Sequence, residues 1–218
     1  AATIKETEAT GKKAAIRPIG RLVPLDLSDK WNRKMVDFSG SGAFEGNGLA
    51  ELTQGDQKLR GVVFRIGDGV AQLGSTRAPT LPAKISGIAV QREIVRLYAL
   101  HATQWGMMEP AVPEGTVIGE YRLHYEDGST VSLPIAFGDD VRDWWTSDGG
   151  KPLARGTVAW IGANLHTEPR GIALRLCLSV WDNPQPEKQV ATLDFVSAMT
   201  TQAAPFCVAL TVETDDAR

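Results

Sequence analysis

The sequence predicts an all-β protein, an antiparallel β-sandwich of the jelly-roll kind with few short helices. Its apolar runs are short, rich in Val, Ile, Leu and aromatic residues, and separated by turn residues. The 218 residues include 22 glycines and 12 prolines, which favour many turns over long helices. Strands do not alternate with helices and no repeat of 20–50 residues occurs. Antiparallel sheets are therefore favoured, and solenoids and propellers are excluded.

The clearest predicted element is a hairpin. Tyr121, Leu123 and Tyr125 alternate with polar residues, which predicts a half-buried strand. Residues 126–129 read Glu-Asp-Gly-Ser, a tight turn in which Gly128 supplies a positive φ, and residues 130–135 return as the partner strand. The other predicted strands are 61–66, 84–90, 94–101, 157–161, 171–181, Gln189–Ser197 and 205–213.

Two of these strands, 94–101 and 171–181, carry apolar residues at both parities. Strands of this kind lie in the middle of a sheet that is covered on both faces. Helical signals are limited to two short turns. Ser28 is placed to cap one that runs to Met35, and Asp139 or Asp140 is placed to cap another over residues 141–145.

The predicted organisation is a flexible leader or linker over residues 1–20, followed by a single β-sandwich domain over residues 21–218. The leader is small, polar and basic, and it has no hydrophobic period. Cys177 and Cys207 lie inside strand-like runs. We expect two buried free thiols, with a cross-strand disulfide as the alternative.

Composition and charge exclude several classes of protein. Hydrophobic residues are 43% and charged residues 22% of the chain, which excludes disorder of the whole chain. The net charge of −3 gives no footprint for nucleic acid, so we expect no nucleic-acid partner. The longest apolar stretch, 171–181, contains Arg175 and is shorter than the roughly 20 residues of a membrane span. We therefore expect no membrane insertion.

Signatures of common enzymes are missing from the sequence. There is no G-x-S-x-G, H-E-x-x-H, G-x-x-x-x-G-K-[ST] or G-x-G-x-x-G motif, and no CxxC or Cys/His metal spacing. The chain has three histidines, His101, His124 and His166, and none stands near a nucleophile at a recognisable spacing. No catalytic residue is therefore predicted.

The tryptophans are the most informative residues. Trp105 lies in the polar, Gly- and Pro-broken segment 101–110, and Trp144 and Trp145 are adjacent in the predicted turn. A tryptophan on a loop offers a flat apolar face that suits a sugar ring, although core packing explains many tryptophans equally well. Because loops gather at one rim of a jelly roll, we expect these rings to share a shallow cleft. The predicted carbohydrate-binding residues are Trp105, Arg142, Asp143, Trp144, Trp145, Asn164 and His166.

Three loose groups of aspartates leave a structural calcium ion open, with no other cofactor expected. Aspartate-rich loops suit calcium, but solvated charges and helix caps explain the same residues equally well. The groups are Asp26 with Asp29, Asp139 with Asp140 and Asp143, and Asp215 with Asp216.

Several stretches, taken together in their order, resemble a known class of module. They are 23–28, 61–66, 97–102, 119–128, 143–145, 159–164 and 181–186. The chain over roughly 22–213 is similar to the galactose-binding-like β-sandwich modules of large bacterial secreted or envelope proteins, often found beside glycoside hydrolases. The resemblance implies a jelly roll of two sheets with a binding site on loops at one end, often a calcium ion elsewhere, and no catalysis. It also implies an extracellular or cell-envelope location and a monomeric module of a larger protein.

The function expected first is that of a non-catalytic carbohydrate-binding module whose partner is an oligo- or polysaccharide. A second reading is a structural or protein-interaction domain of a multidomain envelope protein, which would show an exposed apolar patch. A third reading is a β-sandwich hydrolase or lyase that uses acids such as Glu109, Glu114 or Asp143. A glycosidase would need two carboxylates roughly 5–10 Å apart across a groove.

Overall fold

The computed structural model describes residues 16–36 and 45–215, and it confirms the all-β fold class. The strands, in chain order, are β1 (Arg21–Pro24), β2 (Arg33–Lys34), β3 (Gly55–Leu59), β4 (Val62–Ile66), β5 (Gly69–Gln72), β6 (Lys84–Glu93), β7 (Arg96–Gln104), β8 (Val117–Tyr125), β9 (Thr130–Ala136), β10 (Thr157–Gly162), β11 (Leu174–Asp182), β12 (Gln189–Ser197) and β13 (Ala204–Thr214). The helical content of the described residues is one 3-10 turn, Glu168–Arg170. No helix in these two described stretches has the length and apolarity needed to cross a membrane.

The strands form two main antiparallel sheets, an arrangement compatible with a jelly roll. The larger sheet has the order β10-β11-β7-β13-β5-β2, with β1 paired to β13. The smaller sheet has the order β6-β12-β8-β9, and β3 and β4 form a separate hairpin. The predicted hairpin is β8–β9, in which His124 lies opposite Thr130 and Gly128 has φ of 85°.

The larger sheet is buried on both faces, as the apolar residues at both parities predict. Along β7, Leu97 and Ala99 belong to the core between the two sheets. Their neighbours Tyr98 and Leu100 belong to a second core on the opposite face. The hairpin β3–β4 and the loops cover this second face, with Phe64 among its fully buried residues.

Both predicted helical turns are wrong. Residues 28–30 form a simple turn, and the chain then enters the two-residue strand β2. Residues 141–145 run beside neighbouring strands as isolated bridges instead of winding into a helix. The carboxylate of Asp140 caps no helix because it accepts the Ala136 amide, 2.8 Å away, and pairs with Arg155. The predicted strand 94–101 is also longer than expected, since β7 continues to Gln104.

The two cysteines are free and buried, as expected from the sequence. Cys177 of β11 and Cys207 of β13 both lie opposite His101 of β7, on its two sides. Two inter-strand spacings, about 9–10 Å, therefore separate the cysteines, which is beyond the roughly 7 Å between Cα atoms that a disulfide tolerates. Burial raises the pKa of Cys177, and it raises that of Cys207 to about 12.

Part of the predicted leader contacts the domain at a buried carboxylate. The side chain of Glu213, on β13, accepts hydrogen bonds from the backbone amides of Ile19 and Gly20 and from the Tyr98 hydroxyl. Burial alone would raise the pKa of Glu213, but these donors and Arg96 hold it below its ordinary value. Residues 1–15 of the predicted leader lie outside the described residues.

We expect neither thiol to react in the folded protein. Burial excludes a thiol reagent and disfavours the thiolate, which is the reactive form. A colourimetric thiol assay should count close to zero thiols per chain in native buffer and two after denaturation. Rapid reaction of either cysteine in native buffer would contradict the buried positions of Cys177 and Cys207.

Candidate functional site

A cleft with a volume of about 550 Å³ lies where β7 ends and the loop after β9 crosses it. This volume falls in the range of pockets that hold small molecules. All three tryptophans predicted for the site, Trp105, Trp144 and Trp145, line the cleft. Its lining residues are Asn47, Arg77, Gln104, Trp105, Met107, Met108, Asp143, Trp144, Trp145 and Ser147.

Trp105 occupies a tight turn directly after β7. Its φ of 64° lies in the left-handed region, which is uncommon for a residue other than glycine. The Met108 amide donates to the Trp105 carbonyl over 3.3 Å, and the Val112 amide donates to the Gly106 carbonyl over 2.8 Å. Gly106 is needed here because a Cβ atom would come within 2.4 Å of the Phe137 ring. The turn therefore holds the half-buried Trp105 ring at the cleft.

The carboxylate of Asp143 clamps this turn. Its two oxygens accept the backbone amides of Gly106, at 2.9 Å, and Met107, at 2.7 Å. Burial raises the pKa of Asp143 to about 6, against the lowering effect of the two amides and of Arg175. Asp143 therefore joins the loop after β9 to the turn that carries Trp105.

The segment that carries Asp143 is held in place as an extra strand beside the end of β7. The Thr103 amide donates to the Arg142 carbonyl over 3.2 Å, and the Trp144 amide donates to the Thr103 carbonyl over 3.0 Å. On the other side, the Arg175 amide donates to the Trp144 carbonyl over 2.7 Å. The adjacent tryptophans are thus inserted between the ends of β7 and β11, and this position brings both of them to the cleft.

The two adjacent tryptophans have different environments. Trp144 is buried in the second core and meets Phe206 edge-on, with ring centroids 6.1 Å apart. Trp145 is half-buried, and the Arg170 guanidinium lies 6.0 Å from its ring centroid. The indole nitrogen of Trp145 has no hydrogen-bond partner within the described ranges.

Arg142, predicted as a ligand contact, lies behind the wall of the cleft and does not line it. Its guanidinium makes two hydrogen bonds to the Glu114 carboxylate, at 2.8 and 2.7 Å, and a third to the Pro152 carbonyl at 2.9 Å. The side chain is 5% exposed. Arg142 thus stabilises the loop, and its buried side chain is not among the residues that line the cleft.

Asn164 and His166 also lie outside the cleft, where they support one of its walls. The Asn164 side chain donates to the Asn47 side-chain oxygen over 3.0 Å, and its own oxygen accepts the His166 amide. The His166 ring contacts the Glu45 carbonyl at 2.9 Å. Both residues therefore hold the segment that places Asn47 in the cleft wall.

A buried ion pair supports the rear of the cleft. Arg175, on β11, binds the Asp148 carboxylate at 2.7 Å and donates to the Asp143 carbonyl over 2.8 Å. Both side chains of the pair are at most 1% exposed. Removing one partner of such a pair would leave a buried charge uncompensated. Arg175 therefore fixes the backbone of Asp143, whose side chain fixes the turn at Trp105.

Sequence reasoning missed six lining residues: Asn47, Arg77, Gln104, Met107, Met108 and Ser147. Arg77 comes from the loop after β5, far along the chain from the predicted loops. Gln104 was assigned to a loop but ends β7, where its side-chain oxygen accepts the Gln72 amide at 2.8 Å. Met107 and Met108 lie in the predicted loop segment 101–110, where the aromatic pattern predicts a ligand contact for Trp105 alone.

The aspartates of the first two predicted calcium groups are bound by groups of the protein itself. Asp26 accepts the Ser28 amide, Asp29 pairs with Lys30, and Asp139 pairs with Arg155. Within residues 16–36 and 45–215, no group of three or more His, Cys, Asp or Glu side chains is placed to hold a metal ion. Asp216, part of the third predicted group, lies outside the described residues.

The other three tryptophans lie away from the cleft. Trp31 and Trp181 pack against the core between the sheets, and Trp160 packs against the second core. The Trp181 indole donates to the Pro134 carbonyl over 3.0 Å.

Comparison with protein-family models, with curated proteins and with solved structures finds no match for this chain. The function must therefore be argued from the residues of the cleft.

We expect Asp143→Asn to change how stability depends on pH. The folded pKa of Asp143 lies above its unfolded value, so the folded state binds more protons between about pH 4 and 6. The contribution of Asp143 to stability is therefore largest below pH 4 and is lost as the pH rises to 6. Between pH 4 and pH 7, the free energy of unfolding of the variant, measured with urea, should therefore rise by about 2–3 kcal/mol relative to that of the wild type.

His101 also titrates differently in the folded and unfolded states, but it does not disturb this comparison. Burial lowers the pKa of His101 to about 3, so its effect on stability has the opposite sign over the same pH range. Both proteins contain His101, and its effect cancels in their difference. A stability difference that is constant from pH 4 to 7 would contradict the raised pKa of Asp143.

Proposed function

We propose that this protein is a non-catalytic carbohydrate-binding module whose site is the cleft of Trp105, Asp143 and Trp145. The observation that supports this most is that three indole rings and one buried carboxylate converge on a single cleft. A sugar ring has an apolar face of C–H groups and an edge of hydroxyls. A flat aromatic wall beside fixed polar groups matches both features.

Trp105 is the ring best placed to stack on a sugar. It is half-buried, and the Asp143 clamp and the turn hydrogen bonds restrain its backbone. Trp144 is largely inside the second core, and Arg170 already lies over the ring of Trp145. A restrained ring loses little conformational freedom on binding, so more of its contact energy appears as affinity.

The polar lining residues suit hydroxyl groups. Each Asp143 oxygen has a lone pair beyond the one that receives a backbone amide, and Gln104 and Asn47 offer amide groups. Hydroxyls both donate and accept, and this mixture of donors and acceptors serves them well.

Binding is favoured over glycoside hydrolysis by the distribution of carboxylates. Asp143 is the one carboxylate among the described residues that line the cleft. Glu114 is engaged by Arg142, and neither Glu114 nor Glu109 lines the cleft. A glycosidase uses two carboxylates on opposite sides of the scissile bond. A hydrolase or lyase remains the less favoured proposal.

A protein-interaction domain is the second candidate function. Met108 at the cleft, together with Ile161 and Leu165 elsewhere, exposes 41–74% of its surface. Exposed apolar side chains are typical of interaction surfaces when they form one continuous patch. The concave shape of the cleft and its polar groups fit a small ligand better than a flat partner surface.

The proposal also concerns the family of the fold and the kind of protein to which the chain belongs. We place the chain with the galactose-binding-like modules, as one monomeric unit of a larger extracellular or cell-envelope protein. The antiparallel sandwich and the loop-borne cleft at one end of its strands support this placement. Fold alone does not establish function, so the proposal depends on the cleft.

We expect Trp105→Ala to remove saccharide binding while leaving stability nearly unchanged. The half-buried ring supplies the stacking face and contributes little to either core. Calorimetric titration with glycans identified on an array should give micromolar to millimolar affinity for the wild type, or about −4 to −8 kcal/mol. The variant should bind at least 10-fold more weakly.

Ile161→Ala is the matched control, because it removes an exposed apolar side chain away from the cleft. Its affinity should equal that of the wild type. Unfolding of the Trp105 variant would show that the ring is structural. If both variants fold and the wild type binds no glycan, the interaction-domain function takes the place of this proposal.

A further inference from the structure

We propose that the cleft selects an acidic saccharide and that Arg77 binds its anionic group. This inference rests on the proposed saccharide-binding function and specifies the class of sugar. It starts from an arginine that lines the cleft and has no partner for its guanidinium group in the described part of the chain.

Arg77 differs in this respect from the other arginines near the site. The guanidinium groups of Arg142, Arg155 and Arg175 each bind carboxylates of the protein, namely Glu114, Asp140 and Asp148. Arg77 is exposed, and its backbone amide, not its side chain, donates a hydrogen bond to the Ser75 hydroxyl over 3.2 Å. Its five N–H donors therefore remain available to a ligand.

The loop that carries Arg77 is well anchored. Ser75 is fully buried, and its hydroxyl accepts the amides of both Arg77 and Ala78 at 3.2 Å. The Thr76 amide donates to the Thr201 carbonyl over 2.9 Å. Because the backbone of this turn is already fixed, binding an anion has to order only the side chain of Arg77, which limits the entropic cost.

The charges around the cleft favour an anionic ligand. The negative charge of Asp148 is matched by Arg175, and that of Glu114 by Arg142. Asp143 is the remaining acid of the lining, and both its oxygens already receive backbone amides. Arg170, over Trp145, adds a second positive charge beside the site. The acidic side chains near the cleft therefore compete little with an anionic ligand for binding to Arg77.

Guanidinium groups recognise carboxylates and sulfates through two parallel N–H···O bonds. The anion of the saccharide can therefore be the carboxylate of a uronic acid or a sulfate ester. With the apolar face of the sugar on Trp105, an anionic substituent at the ring edge would reach Arg77. A neutral sugar would leave the Arg77 charge unpaired, and its affinity would be correspondingly lower.

Matched pairs of oligosaccharides test this inference. Each pair consists of a uronic-acid tetrasaccharide and the neutral tetrasaccharide made from it by reducing the carboxylates to alcohols. A second set pairs sulfated tetrasaccharides with their desulfated forms. Titrations at low ionic strength should show one acidic member binding at least 10-fold more tightly than its neutral partner. The set that shows the preference identifies the anion.

Variants of Arg77 assign the effect to this side chain. Arg77→Gln should bring the two members of the preferred pair to within about threefold of each other, while the melting temperature stays unchanged because the side chain is exposed. Arg77→Lys keeps the charge but loses the paired donors, so its preference for the acidic member should lie between those of the wild type and of Arg77→Gln. Arg170→Gln is a control for general charge near the site, and it should keep most of the preference.

The outcomes separate this inference from the function on which it rests. If the neutral member binds as tightly as its acidic partner in both sets, or if Arg77→Gln leaves the preference intact, the inference is wrong and saccharide binding stands. If no member of any pair binds the wild-type protein, the proposed function fails and the inference fails with it.

Discussion

The structure depends on burying both faces of one antiparallel sheet. A second sheet covers one face, and a hairpin with long loops covers the other. A sheet that covers a core pairs its own backbone amides and carbonyls between its strands. Loops have no such regular pairing, and each buried amide and carbonyl on them still needs a partner. The loops over this face therefore need hydrogen bonds from other groups.

The buried charges of the protein meet this requirement. Arg175 and Asp148 form a pair that also holds the Asp143 carbonyl, and Arg142 binds Glu114 and the Pro152 carbonyl. Asp143 in turn satisfies two amides of the turn after β7. The cleft is thus formed where the loop cover ends, and its shape follows from the same interactions that stabilise the cover.

The sequence predicted the features that local pattern controls. Alternation identified the hairpin β8–β9, apolar residues at both parities identified the interior strands, and loop aromatics identified three residues that now share a cleft. Long-range pairing decided the rest. Arg142 could not be recognised as structural because its partner, Glu114, lies 28 residues away. Arg77 lies far along the chain from the other lining residues, and no motif near it in the sequence indicates that it lines the cleft.

Whether saccharides bind in this cleft can be tested by a nitrogen-15 NMR titration that follows the six indole N–H signals. Each signal can be assigned by replacing one tryptophan at a time with phenylalanine. With the tetrasaccharide that binds most tightly, we expect the signals of Trp105 and Trp145 to shift most, while those of Trp31, Trp160 and Trp181 stay in place. Saturable shifts confined to the latter three, or none at all, would show that the cleft is not the binding site.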